Sequence, residues 1–322
     1  MPLASLVSGV ARSALGATLG LGLVAAVAFQ PAAAFAQTVA AAPAASATPQ
    51  AAPGHGPALW VVRDADSTIY LFGTVHVLRP TTAWGSARVD RAFDSASDIW
   101  FEISNPDDQA AIIPLVQQYG VSPDRPLSSL LNESEYARLT AAAGTAGLPI
   151  AQLNVFRPWF AGLTLSLAPL VKAGYDPNSG VELILKARAD AAGKRVHGFE
   201  TIDQQVMLLA NMSEADQLAF LRGALDTFDD ATTDLDQLVE AWSTGDVGAI
   251  RRLGVDEVRD QGEGVYKALL ADRNIGFATR IQHLLEGSGT AFVAVGGAHL
   301  AGPDSVQSVL ESRGVHVEEA PQ

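Results

Sequence analysis

Cysteine is absent from the 322 residues. That excludes a disulfide framework, a thiolate nucleophile, a thiolate metal ligand and a lipid-modified N-terminal cysteine. Any metal site must therefore use His, Asp or Glu. Charge is sparse, with 17% Asp, Glu, Lys and Arg. Basic residues are the scarcer sign, 21 Lys and Arg against 35 Asp and Glu, for a formal charge of −14. A folded nucleic-acid binder carries a basic face, so the balance argues against that class. Also missing are a G-x-S-x-G elbow, an H-E-x-x-H helix, a Walker A loop and a dinucleotide fingerprint. What is abundant is apolar sequence, at 48%. A chain of this length and composition is globular and has ample material for a core.

The first 36 residues, Met1 to Ala36, read as a secretory signal. Arg12 is their one charged side chain, an apolar run spans Ala14 to Phe29, and Ala34-Phe35-Ala36 offers a small-residue cleavage site. The run is short for a membrane-spanning helix, which needs roughly 20 residues. Nothing later is apolar enough to span, so no membrane span is expected after cleavage, and the expected location is periplasmic or secreted. Gln37 to Pro57 is rich in Ala and Pro and reads as a flexible tether. A single domain is then expected over residues 58–322.

Within it, Leu59–Arg63 and Thr68–Thr74 are strand-like, and Asp64 to Ser67 supplies turn residues for a hairpin. Asp98–Ile103 and Thr290–Val295 are buried strands by their apolar runs. Lys194–Glu200 and Val315–Glu319 are two more. Helical periodicity covers Trp84–Ser97, Ala110–Tyr119, Pro158–Ala173, Ser179–Ala192, most of Thr201–Gly287, and Gly302–Arg313; Asn132 is a plausible N-cap. The order predicts an α/β or α+β fold with a large helical insertion.

Two G-x-x-H elements, Gly73-Thr-Val-His76 and Gly296-Gly-Ala-His299, each follow an apolar strand. Ligands of open α/β sheets bind outside the carboxyl ends of strands, so the two histidines converge if those strands are neighbours. Glu102 sits inside Ile-Trp-Phe-Glu-Ile, where a carboxylate needs a partner. Glu200 ends a strand where a helix begins. Glu182 opens a helix, where a carboxylate suits the helix dipole. Arg273, in Asp272-Arg273-Asn274, has either a surface pairing with Asp272 or a role on a substrate carboxylate or oxyanion. His197, in mid-strand, reads as structural. His55, His283 and His316 lack supporting context.

The ordered set Leu59-Trp60, Tyr70-Leu-Phe-Gly-Thr-Val-His76, Trp100-Phe-Glu102, Arg157-Pro-Trp159, Gly180-Val-Glu182, Gly198-Phe-Glu-Thr201, Asp272-Arg-Asn274 and Val295-Gly-Gly-Ala-His-Leu-Ala-Gly302 resembles the TraB/GumN (PrgY, TIKI) family. The chain is most similar to the secreted bacterial GumN-like branch. The resemblance implies a central mixed sheet similar to the erythromycin-esterase/ChaN-like group. It also implies that His76, His299 and Glu102 form the functional site; animal TIKI members of the family are described as divalent-metal-dependent proteases.

One expected mechanism has His76, His299 and a carboxylate, Glu102 or Glu182, holding Mn²⁺, Co²⁺ or Zn²⁺. Glu102 or Glu200 then serves as ligand or general base, and Arg273 steadies the oxyanion. A second uses a neutral His without metal. No organic cofactor is expected. The expected partner is a peptide or another small secreted substrate, and sequestration of a peptide or a structural envelope role are the non-enzymatic readings.

Overall fold

The computed structural model describes residues 49–321. The signal segment and the first part of the tether lie outside the described residues. Six strands form one sheet: β1 (Leu59–Arg63), β2 (Ser67–Thr74), β3 (Asp98–Ile103), β4 (Arg195–Glu200), β5 (Gly289–Gly296) and β6 (Val317–Glu319), in the order β4-β3-β5-β2-β1-β6. β1 and β2 make the expected hairpin, with Leu59 opposite Phe72 and Arg63 opposite Thr68. Asp64 closes its turn by accepting from the Ser67 amide at 2.7 Å. The central strands β4, β3, β5 and β2 run parallel, and β1 is antiparallel to both β2 and β6.

The helices are α1 (Ala87–Ser95), α2 (Gln109–Tyr119), α3 (Glu133–Ala146), α4 (Ile150–Asn154), α5 (Pro158–Lys172), α6 (Val181–Ala191), α7 (Ile202–Ala210), α8 (Glu214–Asp226), α9 (Ala231–Thr244), α10 (Val247–Ile250), α11 (Asp256–Gln261), α12 (Glu263–Tyr266), α13 (Asp272–Leu285) and α14 (Val306–Ser312). Two π-helical turns, Arg251–Val255 and Lys267–Ala271, interrupt the run between α10 and α13. Periodicity alone reads this stretch as continuous helix, because a π turn keeps its apolar side buried while shifting register by one residue.

Asn132 caps α3 in a reciprocal capping box with Glu135. α14 begins only at Val306, short of the expected Gly302. Gly302–Asp304 forms a turn, and Ser305 takes the N-cap by accepting from the Ser308 amide. The ordered contacts also begin ahead of Ala58. The Ala52 amide donates to the Gly85 carbonyl at 2.8 Å and Gly85 donates back to Gln50 at 2.8 Å, so the end of the expected tether lies against the domain.

Alternation along the strands sends residues to two cores. Leu59, Val61, Phe72, Ile99, Phe101, Phe292 and Ala294 pack on one face, with Phe93 of α1 and Val181 and Leu185 of α6. Val62, Ile69, Leu71, Phe199, Val293 and Val295 pack on the other, with Phe277 and Ile281 of α13 and Val306 and Leu310 of α14. The parallel strands are thus covered on both faces, as such strands require. α5 is buried on almost every side, which fits its uniformly apolar sequence.

The position of β5 decides where the site falls. It is the fifth strand in the chain but lies between β2 and β3. The carboxyl ends of β2, β5, β3 and β4 are therefore consecutive. Phe292, fully buried in β5, centres the larger core with ring centroids 5.7 Å from Phe72 and 5.4 Å from Phe93. Phe292→Ala is expected to cost about 3–5 kcal/mol. Urea unfolding monitored by far-UV circular dichroism checks this, and a loss under about 1 kcal/mol would contradict the packing.

Candidate functional site

The two G-x-x-H elements meet through their glycines. In the β2–β5 register Thr74 lies opposite Gly296. A Cβ on Gly73 would stand 3.0 Å from the Gly297 Cα, so the approach of the two backbones requires glycine here. Gly180 plays the same part for α6, where a Cβ would lie 2.4 Å from the His76 carbonyl oxygen. That closeness brings Glu182, in the first turn of α6, onto His76.

His76 is buried, and its Nδ1 lies 2.7 Å from Glu182 Oε1. This is an ion-pair contact without the alignment of a hydrogen bond. Neither ring nitrogen of His76 has a hydrogen-bond partner among the described residues. Thr74 Oγ1 donates to the same Glu182 oxygen. His76 Nε2 faces Glu102 Oε1 at 3.8 Å. His299 Nε2 faces that oxygen at 3.6 Å. Glu102 thus sits between the histidines, and its Oε1 accepts from the Gly296 amide at 2.8 Å.

Arg273 is the hub. Its Nη2 donates to Glu102 Oε2 at 2.5 Å and to Glu200 Oε2 at 2.7 Å, and its Nε donates to Glu200 Oε1 at 2.8 Å. Its Nη1 donates to the Leu269 carbonyl at 3.2 Å and lies 3.0 Å from His299 Nε2. A guanidinium has five N–H donors and no acceptor. All five are engaged, so Arg273 has no free donor for an oxyanion, and Asp272 is not its partner. Its function in the cluster is to hold two carboxylates and one imidazole in place.

These contacts fix the state of His299. Because Arg273 can only donate, His299 Nε2 accepts. His299 Nδ1 then carries the proton and donates to Asn274 Oδ1 at 2.6 Å. The Asn274 amide is oriented by its own donation from Nδ2 to the Asp304 carbonyl at 2.7 Å. Burial, the Arg273 cation and His76 all hold the His299 pKa well below its ordinary 6.5. His76 differs. Burial opposes its charge, but Glu182 and then Glu102 outweigh that and raise it above 6.5. Burial pushes Glu182 up, yet the charge of His76 and the Thr74 hydroxyl bring it below 4.5.

The structure therefore gathers His76, His299, Glu102, Glu182, Glu200 and Arg273, all six residues singled out in the sequence. It also adds Asn274, Thr74 and Gln205. Gln205 Nε2 donates to Glu102 at 3.0 Å and to Glu200 at 3.1 Å. Its signal was its place one turn after the Thr201 cap, on the side of α7 that faces the strand ends. His197 is structural: it stacks on Trp100 at 4.6 Å and contacts Asp98. Arg157 binds the Tyr119 and Ala210 carbonyls, away from the cluster.

The donors expected for a metal do not fit that role in this arrangement. The lone pair of His299 Nε2 is taken by Arg273, and Glu182 is turned to His76 Nδ1. His76 Nε2 and one oxygen of Glu102 remain, fewer than the three protein ligands of a hydrolytic zinc site. No group of three or more His, Asp or Glu suited to hold a metal ion is found among the described residues.

A mixed sheet with parallel central strands, and two histidines and three carboxylates gathered near the carboxyl ends of those strands, defines an α/β protein with a buried cluster of ionisable residues. Residues 58–319 match the model of the TraB/PrgY/gumN family, and the chain belongs to that family. A similar protein, described as uncharacterized, occurs in Treponema pallidum (strain Nichols). It is 22% identical over 268 residues, 79% of this chain and 80% of its own. No solved structure matches the chain.

Imidazole ¹⁵N shifts are expected to show His299 neutral, with the proton on Nδ1, throughout pH 6–8. His76 should titrate above 6.5. A His299 that gains charge near 6.5 would contradict the geometry. Removing the hub by Arg273→Ala leaves Glu102 and Glu200 buried without their cation and is expected to cost about 3–5 kcal/mol. Urea unfolding reads the loss, and a change under about 1 kcal/mol would contradict the hub role.

Proposed function

We propose that this chain is an exported hydrolase in which His76 activates water without a metal. The observation that carries this reading is the free Nε2 of a buried His76 whose Nδ1 is backed by Glu182. An imidazole steadied by a carboxylate on one nitrogen and free on the other is the arrangement of a general base.

In this mechanism the neutral ring carries its proton on Nδ1, the nitrogen beside Glu182, which leaves the Nε2 lone pair available. A water beside Nε2 gives up a proton to it as its oxygen bonds to a substrate carbonyl carbon. The resulting imidazolium sits between Glu182 and Glu102, which stabilise its charge. On collapse of the tetrahedral species the bond to the leaving group breaks, and the His76 proton passes to the leaving nitrogen or oxygen. Glu102 and Glu182 act electrostatically, while Arg273 and Glu200 hold Glu102 in position. An amide of a peptide, or another small secreted substrate, matches this chemistry, and the apolar leader accords with an exported, periplasmic or secreted protein.

The second reading, a divalent-metal hydrolase, is favoured by one feature. The cluster holds three carboxylates, Glu102, Glu182 and Glu200, and one guanidinium, and a cation at His76 Nε2 and Glu102 would balance the excess negative charge. It requires Arg273 to release His299. Sequestration of a peptide without turnover is the non-enzymatic alternative.

Peptide hydrolysis by the purified chain in chelator-treated buffer, beside His76→Ala and Glu182→Gln, tests the proposal. Turnover is expected to fall at least 10²-fold in His76→Ala, the span of a general base. Because the base works as the neutral ring and its folded pKa is raised, kcat/KM should fall as pH drops through a value above 6.5. Stoichiometric Mn, Co or Zn in the wild type, lost in both His76→Ala and His299→Ala, would overturn the metal-free reading. Unchanged peptide affinity with no turnover in any protein would leave sequestration.

A further inference from the structure

The turn that follows the second G-x-x-H element is held from outside the cluster. Gly302 turns the chain with φ 88°, and a Cβ there would stand 3.3 Å from Val255 Cγ1, so the turn rests on the first π turn. Two residues on, the Asp304 carboxylate accepts twice through one oxygen. Arg259 Nη2, from α11, donates to Asp304 Oδ2 at 2.6 Å. The Tyr266 hydroxyl, from α12, donates to the same atom at 2.7 Å. The Arg259 guanidinium lies over the Tyr266 ring, 4.1 Å from its centroid, so the two donors brace each other. Tyr266 is buried, whereas the Arg259 and Asp304 side chains are 40% and 48% exposed. An ion pair so open to solvent adds little to global stability. What it does determine is where the turn sits.

That position reaches the cluster through one main-chain atom. The Asp304 carbonyl accepts from Asn274 Nδ2 at 2.7 Å. A carbonyl cannot donate, so it selects one orientation of the Asn274 amide, with Oδ1 turned to His299 Nδ1 at 2.6 Å. An amide oxygen cannot donate either, so the proton of that bond belongs to the imidazole. Asn274 and His299 are both buried. Arg273 imposes the same tautomer from the other side, at Nε2. The ring is therefore gripped at both nitrogens. One grip is the hub inside the cluster. The other runs out through Asn274 to a half-exposed carboxylate clamped by two helices.

We infer that Asp304 is a positioning residue for His299. Held by Arg259 and Tyr266, it fixes the carbonyl that orients Asn274, and so holds the His299 proton on Nδ1. The consequence for turnover rests on the hydrolase reading; the hydrogen-bond chain does not.

NMR of the ¹⁵N-labelled purified chain is the test, beside Asp304→Ala, Asp304→Asn and Tyr266→Phe. Hydrogen exchange of the His299 Nδ1 proton reads how firmly Asn274 holds it. Asp304→Ala removes both clamping bonds. It is expected to speed that exchange about tenfold or more, the worth of one lost hydrogen bond. The amides of Phe292 and Val293, in the middle of β5, should exchange as in the wild type. Only Oδ2 of Asp304 is engaged, so the amide oxygen of Asp304→Asn can take its place, and exchange should return to within about threefold of wild type. Tyr266→Phe, which removes one bond of the two, should fall between Asp304→Asn and Asp304→Ala. An unchanged Nδ1 proton in Asp304→Ala would overturn the inference. So would equal acceleration of the β5 amides, which marks general loosening, or a failure of Asp304→Asn to restore slow exchange. A wild-type His299 with its proton on Nε2 would overturn it outright. None of these readouts requires turnover, so this inference and the hydrolase reading fail separately.

Discussion

A guanidinium buried with two carboxylates organises this protein's strand ends. Arg273 arrives from the first turn of α13, directly after a π turn, and donates to residues of β3, β4, the turn after β5 and the π turn itself. Bringing such a cation out of water is costly and is offset only when every donor is satisfied. Here every donor is, so position, not only charge, is specified. The π turn contributes directly: Leu269 lies within it and accepts from Arg273 Nη1. A regular helical turn there would change the rotation with which α13 presents Arg273 to the sheet. The conformational specificity that buried ion clusters can confer is a reasonable account of why this one is kept at such expense.

The same constraint ties the site to topology. His76, Glu102, Glu200 and His299 come from four different strand ends, and β5 reaches its central place only after the helical insertion has been traversed. The cluster cannot form from local contacts. It needs the pairing of β5 with both β2 and β3, so the acid–base geometry and the sheet are completed together. The close approach of Gly73 to Gly297 is the point where that pairing has the least tolerance.

Much of this was legible in the residues. The strand runs carry strong apolar signals, and the observed β1, β3 and hairpin boundaries follow them. The carboxylate in Ile-Trp-Phe-Glu-Ile announced Glu102, because burial of a charge demands partners. The convergence of His76 and His299 was conditional on strand order, which no local pattern encodes. The pairing of Arg273 was hidden for the same reason: a neighbouring Asp272 is visible in the sequence, whereas Glu102 and Glu200 are 171 and 73 residues away. The π turns were hidden because they leave the burial pattern of a helix almost intact. Glu182 read as a dipole carboxylate, which its place in α6 justifies. Its contact with His76 depends on the approach permitted by Gly180.

Two histidines in one buried cluster carry opposite electrostatics, and the difference follows from a single asymmetry of partners. Both lose water, which alone disfavours the charged ring. His76 regains stabilisation from two carboxylates; His299 is met by a guanidinium and an amide. The pH consequences therefore have opposite signs. His76, with its folded pKa raised, contributes stability that is fully present below about 6.5 and is lost as pH rises through the folded value. His299, held neutral, favours folding above about 6.5 and opposes it as the unfolded ring gains a proton below that. Relative to a free imidazole, the fold thus favours charge on His76 and disfavours it on His299. The two rings are thereby set apart: His299 is a fixed neutral dipole between Arg273 and Asn274, and in the proposed mechanism His76 is the ring that exchanges a proton. The proposed proton transfer rests on that division more than on the number of polar residues gathered at the strand ends.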